Sequence, residues 1–398
     1  MFENVRIMRK AVLVLSATLT IMAGAAISPA LPFIEHAFAD LPYSTFIIML
    51  MLTTPALFIV VSSPVIGLCV DWFGRKWLLI GALLLYGVSG SSGLWVESLP
   101  SLFIGRMFLG IATGGVMTTV ITLIADYYEG AERETMMGLK SAFIGFGGVF
   151  FVLLSGALAT FGWRAPFAVY LFALVLIPLA FLYIIEPKDV EAVAAEKIEH
   201  HHTDPIPWGQ VMVIYGLVFW GMVCLYVIPV KVPFFLEELI HASPIHIGMT
   251  LAVPNLSGAL SALFYRQFHR FLNYQLLMAL VFLMIGLGFL ALAFASSWAG
   301  VTGSLLLCGI GFGLLVPNCA VLITRVAPVH VRGRLVGGLS MCLFLGQFFA
   351  PIVVEPLYLD KGFSGVFGAF GIIGMIAIAI SALFTMLEGL RVKSFLTH

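Results

Sequence analysis

Twelve apolar runs, each near the roughly 20 residues that an α-helix needs to cross a hydrocarbon core, follow one another along this chain with mostly short polar breaks. They fall at about 11–34, 44–69, 77–96, 101–125, 138–161, 165–185, 209–235, 245–265, 274–296, 298–323, 335–358 and 363–388. Lipid offers backbone N–H and C=O groups no partners, so a run of this kind must satisfy them within itself as a helix. The fold class expected is therefore an all-α integral membrane protein. A hydrophobic share of 61% is too high for a soluble domain and leaves no stretch for one.

Lys and Arg near helix ends are retained on the cytoplasmic side. With the N-terminus inside, sixteen of the twenty basic residues fall in cytoplasmic breaks and only Arg164 and Lys361 outside, while Arg106 and Lys231 lie within or near span edges. Both termini are expected to face the cytoplasm, in a bacterial inner membrane. The opening MFENVRIMRK, followed by an apolar run and AGAA, has the outline of a secretory signal. Its removal would leave eleven spans and take away the counterpart of the seventh. Cys69, Cys224, Cys308, Cys319 and Cys342 show no paired spacing, so neither a disulfide framework nor a zinc motif is expected. No basic tract suggests nucleic acid, and no cofactor or metal is expected.

The longest polar stretch, EPKDVEAVAAEKIEHHHTDPIP, divides the chain into an N-terminal six-helix bundle (1–185), a cytoplasmic linker (186–208) and a C-terminal six-helix bundle (209–398). Its three histidines, His200 to His202, read as part of a solvated linker rather than a metal site. The halves echo one another at an offset of roughly 200 residues, pairing Pro32 with Pro233, Pro55 with Pro254 and Gly138 with Gly337. Weak internal symmetry of this kind is the mark of repeated transporter halves. Prolines at the outer ends of spans 1 and 7 either bend those ends or stop them.

Between spans 2 and 3 the sequence Gly67-x-x-x-Asp71-x-x-Gly74-Arg75-Lys76 gathers charge in a chain where only 10% of residues carry any. It resembles the signature of the major facilitator superfamily. Twelve spans, the six-plus-six division, the linker and the inside termini extend that resemblance over essentially the whole chain. The resemblance implies two pseudo-symmetric bundles working by alternating access, as a functional monomer, with this turn latching the cytoplasmic ends of the halves. Asp71 would then face the start of span 11, where Gly333 to Gly338 leave the backbone bare. Gly67 and Gly74 permit a tight connection and close helix approach, and Asp126, at the inner end of span 4, is placed to pair with Arg75. Trp72 stands where the family usually has a basic residue.

In span 4, LFIGRMFLGIATGG is similar to the family's L-x-x-x-R-x-x-Q-G-x-G, with Arg106 at the arginine and Leu109 in place of the glutamine. A cation inside a span is costly and faces a cavity or a partner, unless, as Arg106 could from its place near Ser101, it snorkels to the outer interface. The resemblance gives Arg106 a part in proton coupling or anion attraction. The antiporter pattern of span 5 is partial: Gly145, Gly147, Gly148, Gly156 and Gly162-Trp163-Arg164 are present, and the central proline is not. LGQFFAPIVVEPL in span 11 looks like the drug/proton antiporter branch around Gly346, Gln347 and Pro351. Span 1 has no acid before Glu35, which leaves Glu355 as the best buried carboxylate for a coupling proton, with Lys231 a further charge for coupling or substrate.

Rows of small residues, Ser16, Thr20, Gly24 and Ser28 in span 1 and Gly110, Gly114, Thr118 and Thr122 in span 4, read first as close helix packing. Ser28 and the isolated amides Asn255, Asn318 and Gln347 are candidates for the pathway lining. Few hydrogen-bonding groups accompany many Phe and Met, which favours a lipophilic or amphiphilic organic solute: a drug, metabolite or siderophore exported in exchange for H+. The alternative transport reading is import of a small organic anion attracted by Arg106 and Lys231. A membrane enzyme would need convergent nucleophile and base residues, but His36, His241, His246, His269 and His330 are scattered singly at helix ends. A receptor would bind solute without moving it.

Overall fold

The computed structural model describes residues 2–187 and 206–395, and their side chains except at 2–4, 71, 329 and 379–395. His200 to His202 and most of the linker, the Asp71 side chain, and the side chains of Arg391 and Lys393 therefore lie outside the described residues. Among the described residues every regular element is helical. The first six spans are α1 (Phe2–Ala25), α2 (Ser44–Phe73), α3 (Arg75–Gly90), α4 (Leu99–Tyr127), α5 (Gly130–Ala159) and α6 (Phe172–Tyr183). There follow α7 (Trp208–Ile240), α8 (Pro244–Leu263, bent by 58° into Tyr265–Phe271), α9 (Tyr274–Ala293) and α10 (Trp298–Val326).

The last apolar helix, Arg332–Ile378, counts 47 residues. At 1.5 Å per residue that is about 70 Å, more than twice the ~30 Å of a hydrocarbon core. It crosses twice because Gly362 breaks it, at φ 63° and ψ −167°, a conformation that only glycine adopts without strain. We label the two parts α11 (332–361) and α12 (363–395). Counted this way, the described residues supply the twelve spans read from the sequence.

The outer end of span 1 departs from a straight helix, as expected of its prolines: α1 stops at Ala25 and continues as a 3₁₀ turn, Ser28–Ala30, and a short helix, Leu31–Ala37. Pro29 and Pro32 withhold N–H groups there. In α7, by contrast, the helix runs unbroken through Pro229 and Pro233, so the paired prolines Pro32 and Pro233 act differently.

The chain divides into two compact units, Met1–Ile206 and Pro207–His398. Inside the first, α2 packs on α4, α4 on α3, α3 on α6 and α1 on α5; inside the second, α8 packs on α10, α10 on α9, and α7 and α9 on the α11–α12 pair. The same residues meet at corresponding crossings. A methyl group at Gly110 would lie 2.5 Å from the Pro55 carbonyl oxygen, and one at Gly309 would lie 2.5 Å from the Pro254 carbonyl oxygen. Gly114 is closed in by Ser62, and Gly313 by Ser261. Gly87 meets α6 and Gly286 meets α12, while Gly147 lies on α1 and Gly346 on α7. Each of these pairs, Pro55 and Pro254 included, is separated by 199 residues. Ser98 and Ser297, the same distance apart, both cap their helices by accepting from the amide three residues on. Small residues let the backbones of α2 and α4, and of α8 and α10, approach this closely where lipid supplies no hydrophobic drive.

Candidate functional site

In the second unit, Lys231 on α7 and Glu355 on α11 form an ion pair of 2.7 Å. One turn after Glu355, the Tyr358 ring lies 3.7 Å from the Lys231 ammonium, within cation–π range. The Lys231 side chain is 1% exposed and that of Glu355 15%, so the pair is enclosed but reached from the carboxylate side. Pro229 and Pro233 bracket Lys231, and Pro351 and Pro356 bracket Glu355, all inside their helices. Each proline withholds one backbone N–H, which weakens the helix locally and lets it flex. A charged pair held away from water is a costly element whose geometry must be well matched. The sequence named both residues without showing that they meet.

Arg106 was expected to face a cavity or a partner, and it faces partners. Its side chain is 0% exposed. One guanidinium nitrogen donates to Tyr170 Oη at 2.9 Å, another to the Gly90 carbonyl at 2.7 Å, and the group lies over the rings of Phe167 and Tyr170. Arg106 thus ties α4 to the end of α3 and to the 3₁₀ stretch Ala165–Leu171 that precedes α6. The Gly90 carbonyl, the Tyr170 hydroxyl and the two ring faces compensate the charge, while Arg106 Nε has no hydrogen-bond partner among the described residues.

Asn318 is likewise enclosed. Its side-chain oxygen accepts from Tyr265 Oη at 3.2 Å and its amide donates to the Tyr274 carbonyl at 3.0 Å, holding α10 to the chain around α9. Asn255 donates to the Leu251 carbonyl of its own helix at 2.9 Å and stays half-buried. Ser28 and Gln347 are buried. Gly110 and Gly114 sit at the α2–α4 crossing described above. Gly148 and Gly156 lie on the buried face of α5, and Gly145 is half-buried.

At the turn between α2 and α3, the Arg75 and Lys76 backbone amides donate to the two carboxylate oxygens of Glu186, at 2.7 and 2.9 Å. A helix N-terminus leaves its first amides unpaired and attracts negative charge. Gly74, at the N-cap of α3, has no side chain with which to satisfy them. Asn273, 199 residues later, caps α9 with its own side chain, accepting from the Leu276 amide at 2.8 Å. The first unit supplies the same cap from a distance. Lys76 Nζ also donates to the Phe181 carbonyl at 2.8 Å, binding α3 to the end of α6. Arg75 Nε and Asp126 Oδ2 lie 3.3 Å apart, at ion-pair distance but without a formed hydrogen bond. At the positions repeating Arg75 and Asp126, Arg325 lies over the Tyr274 ring at 4.1 Å. A side chain at Gly67 would meet nothing within 4 Å, so the close helix approach expected there is not found.

Gly74 has φ 77° and ψ 160°, a region closed to residues with a Cβ, and a methyl group there would lie 2.9 Å from the Glu186 carboxyl carbon. Gly74→Ala is therefore expected to lower stability by about 1–3 kcal/mol. Glu186→Ala, which removes the cap alone, is expected to cost about 1 kcal/mol. Thermal unfolding of the detergent-purified variants ranks the two. A Gly74→Ala midpoint at or above that of Glu186→Ala would contradict the order.

The family model for the Major Facilitator Superfamily matches residues 13–351 and 212–394. This chain belongs to that superfamily. Among curated relatives it is similar to the tetracycline resistance protein, class C, of Escherichia coli, with 28% identity over 77% of this chain and 79% of that one. It is also similar to the quinolone resistance protein NorA of Staphylococcus aureus, with 24% identity over 78% and 80%. Among solved structures, a D-xylose-proton symporter superposes with a TM-score of 0.79 at 18% identity, over 94% of this chain and 97% of that one, a likeness of fold. The protein is thus a membrane transporter of the major facilitator superfamily. Within that fold, sequence reading missed the Glu186 cap, and the signal for it was the constant offset. Aligning Gly74 with Asn273 shows a helix start lacking its capping side chain.

Proposed function

We propose that this major facilitator transporter exports a lipophilic or amphiphilic organic solute in exchange for protons, by alternating access, as a monomer with both termini in the cytoplasm. The observation that carries the reading is the Lys231–Glu355 pair, a cation and a carboxylate enclosed in the second unit between two helices that carry prolines on either side of it. In this reading a proton arriving from the outer side binds Glu355, which removes its ion pair with Lys231 and changes the balance between α7 and α11. Release of that proton to the cytoplasm restores the pair. The resistance functions in the names of the two relatives support export and point to compounds of the tetracycline and quinolone kind as first probes. The basic residues of the cytoplasmic breaks support the orientation.

The test is uptake of tetracycline and of a quinolone into proteoliposomes with an imposed pH gradient. Antiport predicts accumulation when the lumen is acid, abolished by a protonophore. Accumulation only when the outside is acid would replace antiport by symport and favour import. Binding of either probe without flux in any gradient would indicate a receptor.

A further inference from the structure

A further departure of the second unit from the repeat lies in α8. α2 runs unbroken from Ser44 to Phe73, whereas α8 stops at Leu263 and its continuation, Tyr265–Phe271, swings aside by 58°. No proline causes the break. The continuation reads YRQFHRF, and Arg266 and Arg270 stand where the first unit has Gly67 and Asp71. A short stretch alternating aromatic and basic residues is suited to lie at a membrane surface rather than cross it.

The swing opens a cavity of about 520 Å³ between the bent end of α8 and α10, lined chiefly by Leu260, Phe264, Phe268, Phe271, Leu306 and Ile310. That volume is within the roughly 300–1,000 Å³ of sites that hold a small organic ligand. The groove faces away from the interior of its unit. On α10, Cys308 packs against Gly288 of α9 and Leu315 against Gly221 of α7, while Leu306 is about 200° around the helix from Cys308. Leu260, Leu306, Phe264 and Phe271 are all exposed.

Charge completes the site. From Leu239 to Val354 the chain contains no Asp or Glu, yet it carries Arg266, Arg270, Arg325, Arg332 and Arg334, all at the same end of the second unit. The equivalent end of the first unit has Asp126 beside Arg75, and Glu132 paired with Arg6 and Lys10. The Arg270 guanidinium lies 5.9 Å from the ring centre of Phe271, a lining residue, which sets a cation at the cavity mouth. Arg266 is exposed one turn earlier and has no ion-pair partner among the described residues. An apolar groove with arginines at its mouth that have no ion-pair partner among the described residues matches a molecule with a long hydrocarbon tail and an anionic head.

We propose that the groove behind the bent end of α8 binds an anionic phospholipid of the cytoplasmic leaflet, one acyl chain filling the cavity and the head-group phosphate held by Arg266 and Arg270. Basic pockets between helices at that surface are the ordinary recognition device for such lipids. The leaflet assignment rests on the orientation given above; the lipid chemistry does not depend on the transport reading.

The experiment is native mass spectrometry of the purified, delipidated full chain titrated with phosphatidylglycerol or with phosphatidylcholine of the same chains. Two arginines near the surface predict roughly 30-fold tighter retention of the anionic lipid. The double variant Arg266→Gln, Arg270→Gln should bind the two lipids alike, and Arg266→Lys with Arg270→Lys should keep the preference. Leu306→Trp, which fills the groove from an exposed position, should weaken both lipids. Inorganic phosphate at the same concentration should compete poorly. Equal retention of both lipids by the parent, an undiminished preference in the glutamine variant, or full competition by phosphate alone would each overturn the proposal. None of these readouts involves transport.

Discussion

Exchanging Glu355 for glutamine is expected to abolish accumulation of solute in an acid lumen, down to the level of protein-free liposomes, while counterflow exchange at zero gradient persists. Glutamine keeps a hydrogen-bond acceptor opposite Lys231 but takes no proton, so the cycle loses the step that links the gradient to solute movement. Lys231→Met acts on the other side of the pair and leaves an unpartnered carboxylate in a site where Glu355 is only 15% exposed. Removing one partner of a buried ion pair costs about 3–5 kcal/mol, and this variant is expected to unfold at a markedly lower temperature.

A loss of transport in either single variant would also follow from a purely structural role, so the informative protein is the double variant Lys231→Met, Glu355→Leu. Replacing both members of a buried pair by apolar residues of similar volume is often neutral or stabilising. The double variant should therefore recover the thermal midpoint of the parent, within the scatter of repeat scans, and should still fail to accumulate solute. Recovery of gradient-driven transport together with stability would reduce the pair to a structural tie and remove the basis of the coupling proposal.

The parts of this fold that were legible in the sequence are those set by length and period. Twelve runs of spanning length dictate twelve helices, because in lipid a continuous apolar run of about 20 residues closes its hydrogen bonds within itself only as a helix. The match between Pro55 and Pro254 pointed to the repeat because both prolines sit against a glycine at the same crossing. Contacts over long separations were not legible. Glu186 reaches the α3 amides from 110 and 111 residues away, and Lys231 meets Glu355 across 124. Nothing local in either segment announces its partner. Arg106 illustrates a different limit: the sequence placed a cation inside a span, but whether it met a cavity or a carbonyl depended on Gly90 and Tyr170, which come from two other elements. The bend in α8 carries no proline signal, and its only trace is the pair of arginines where the repeat has none.

The second large effect is expected at the helix crossings that the repeat preserves. At Gly110 a methyl group would lie 2.5 Å from the Pro55 carbonyl oxygen and 2.9 Å from the Pro55 Cα; at Gly309 it would lie 2.5 Å from the Pro254 carbonyl oxygen and 2.7 Å from the Pro254 Cα. These neighbours are backbone, so relief requires the helices to move apart and not merely a rotamer change. Overpacking of a close-packed interior costs about 1–3 kcal/mol and sometimes more. Gly110→Ala and Gly309→Ala should fall at the top of that range, and the valine variants should give little folded protein. At Gly303, on the same helix as Gly309, a methyl group meets nothing within 4 Å, so Gly303→Ala should be neutral or slightly stabilising through helix propensity. Thermal midpoints and monodispersity in detergent distinguish the sites. If the pairing of α2 with α4 and of α8 with α10 is the same device used twice, the losses at Gly110 and Gly309 should agree more closely with each other than either does with Gly303. A Gly309→Ala protein as stable as Gly303→Ala would show that the two helices of the second unit are not in contact where the repeat requires it.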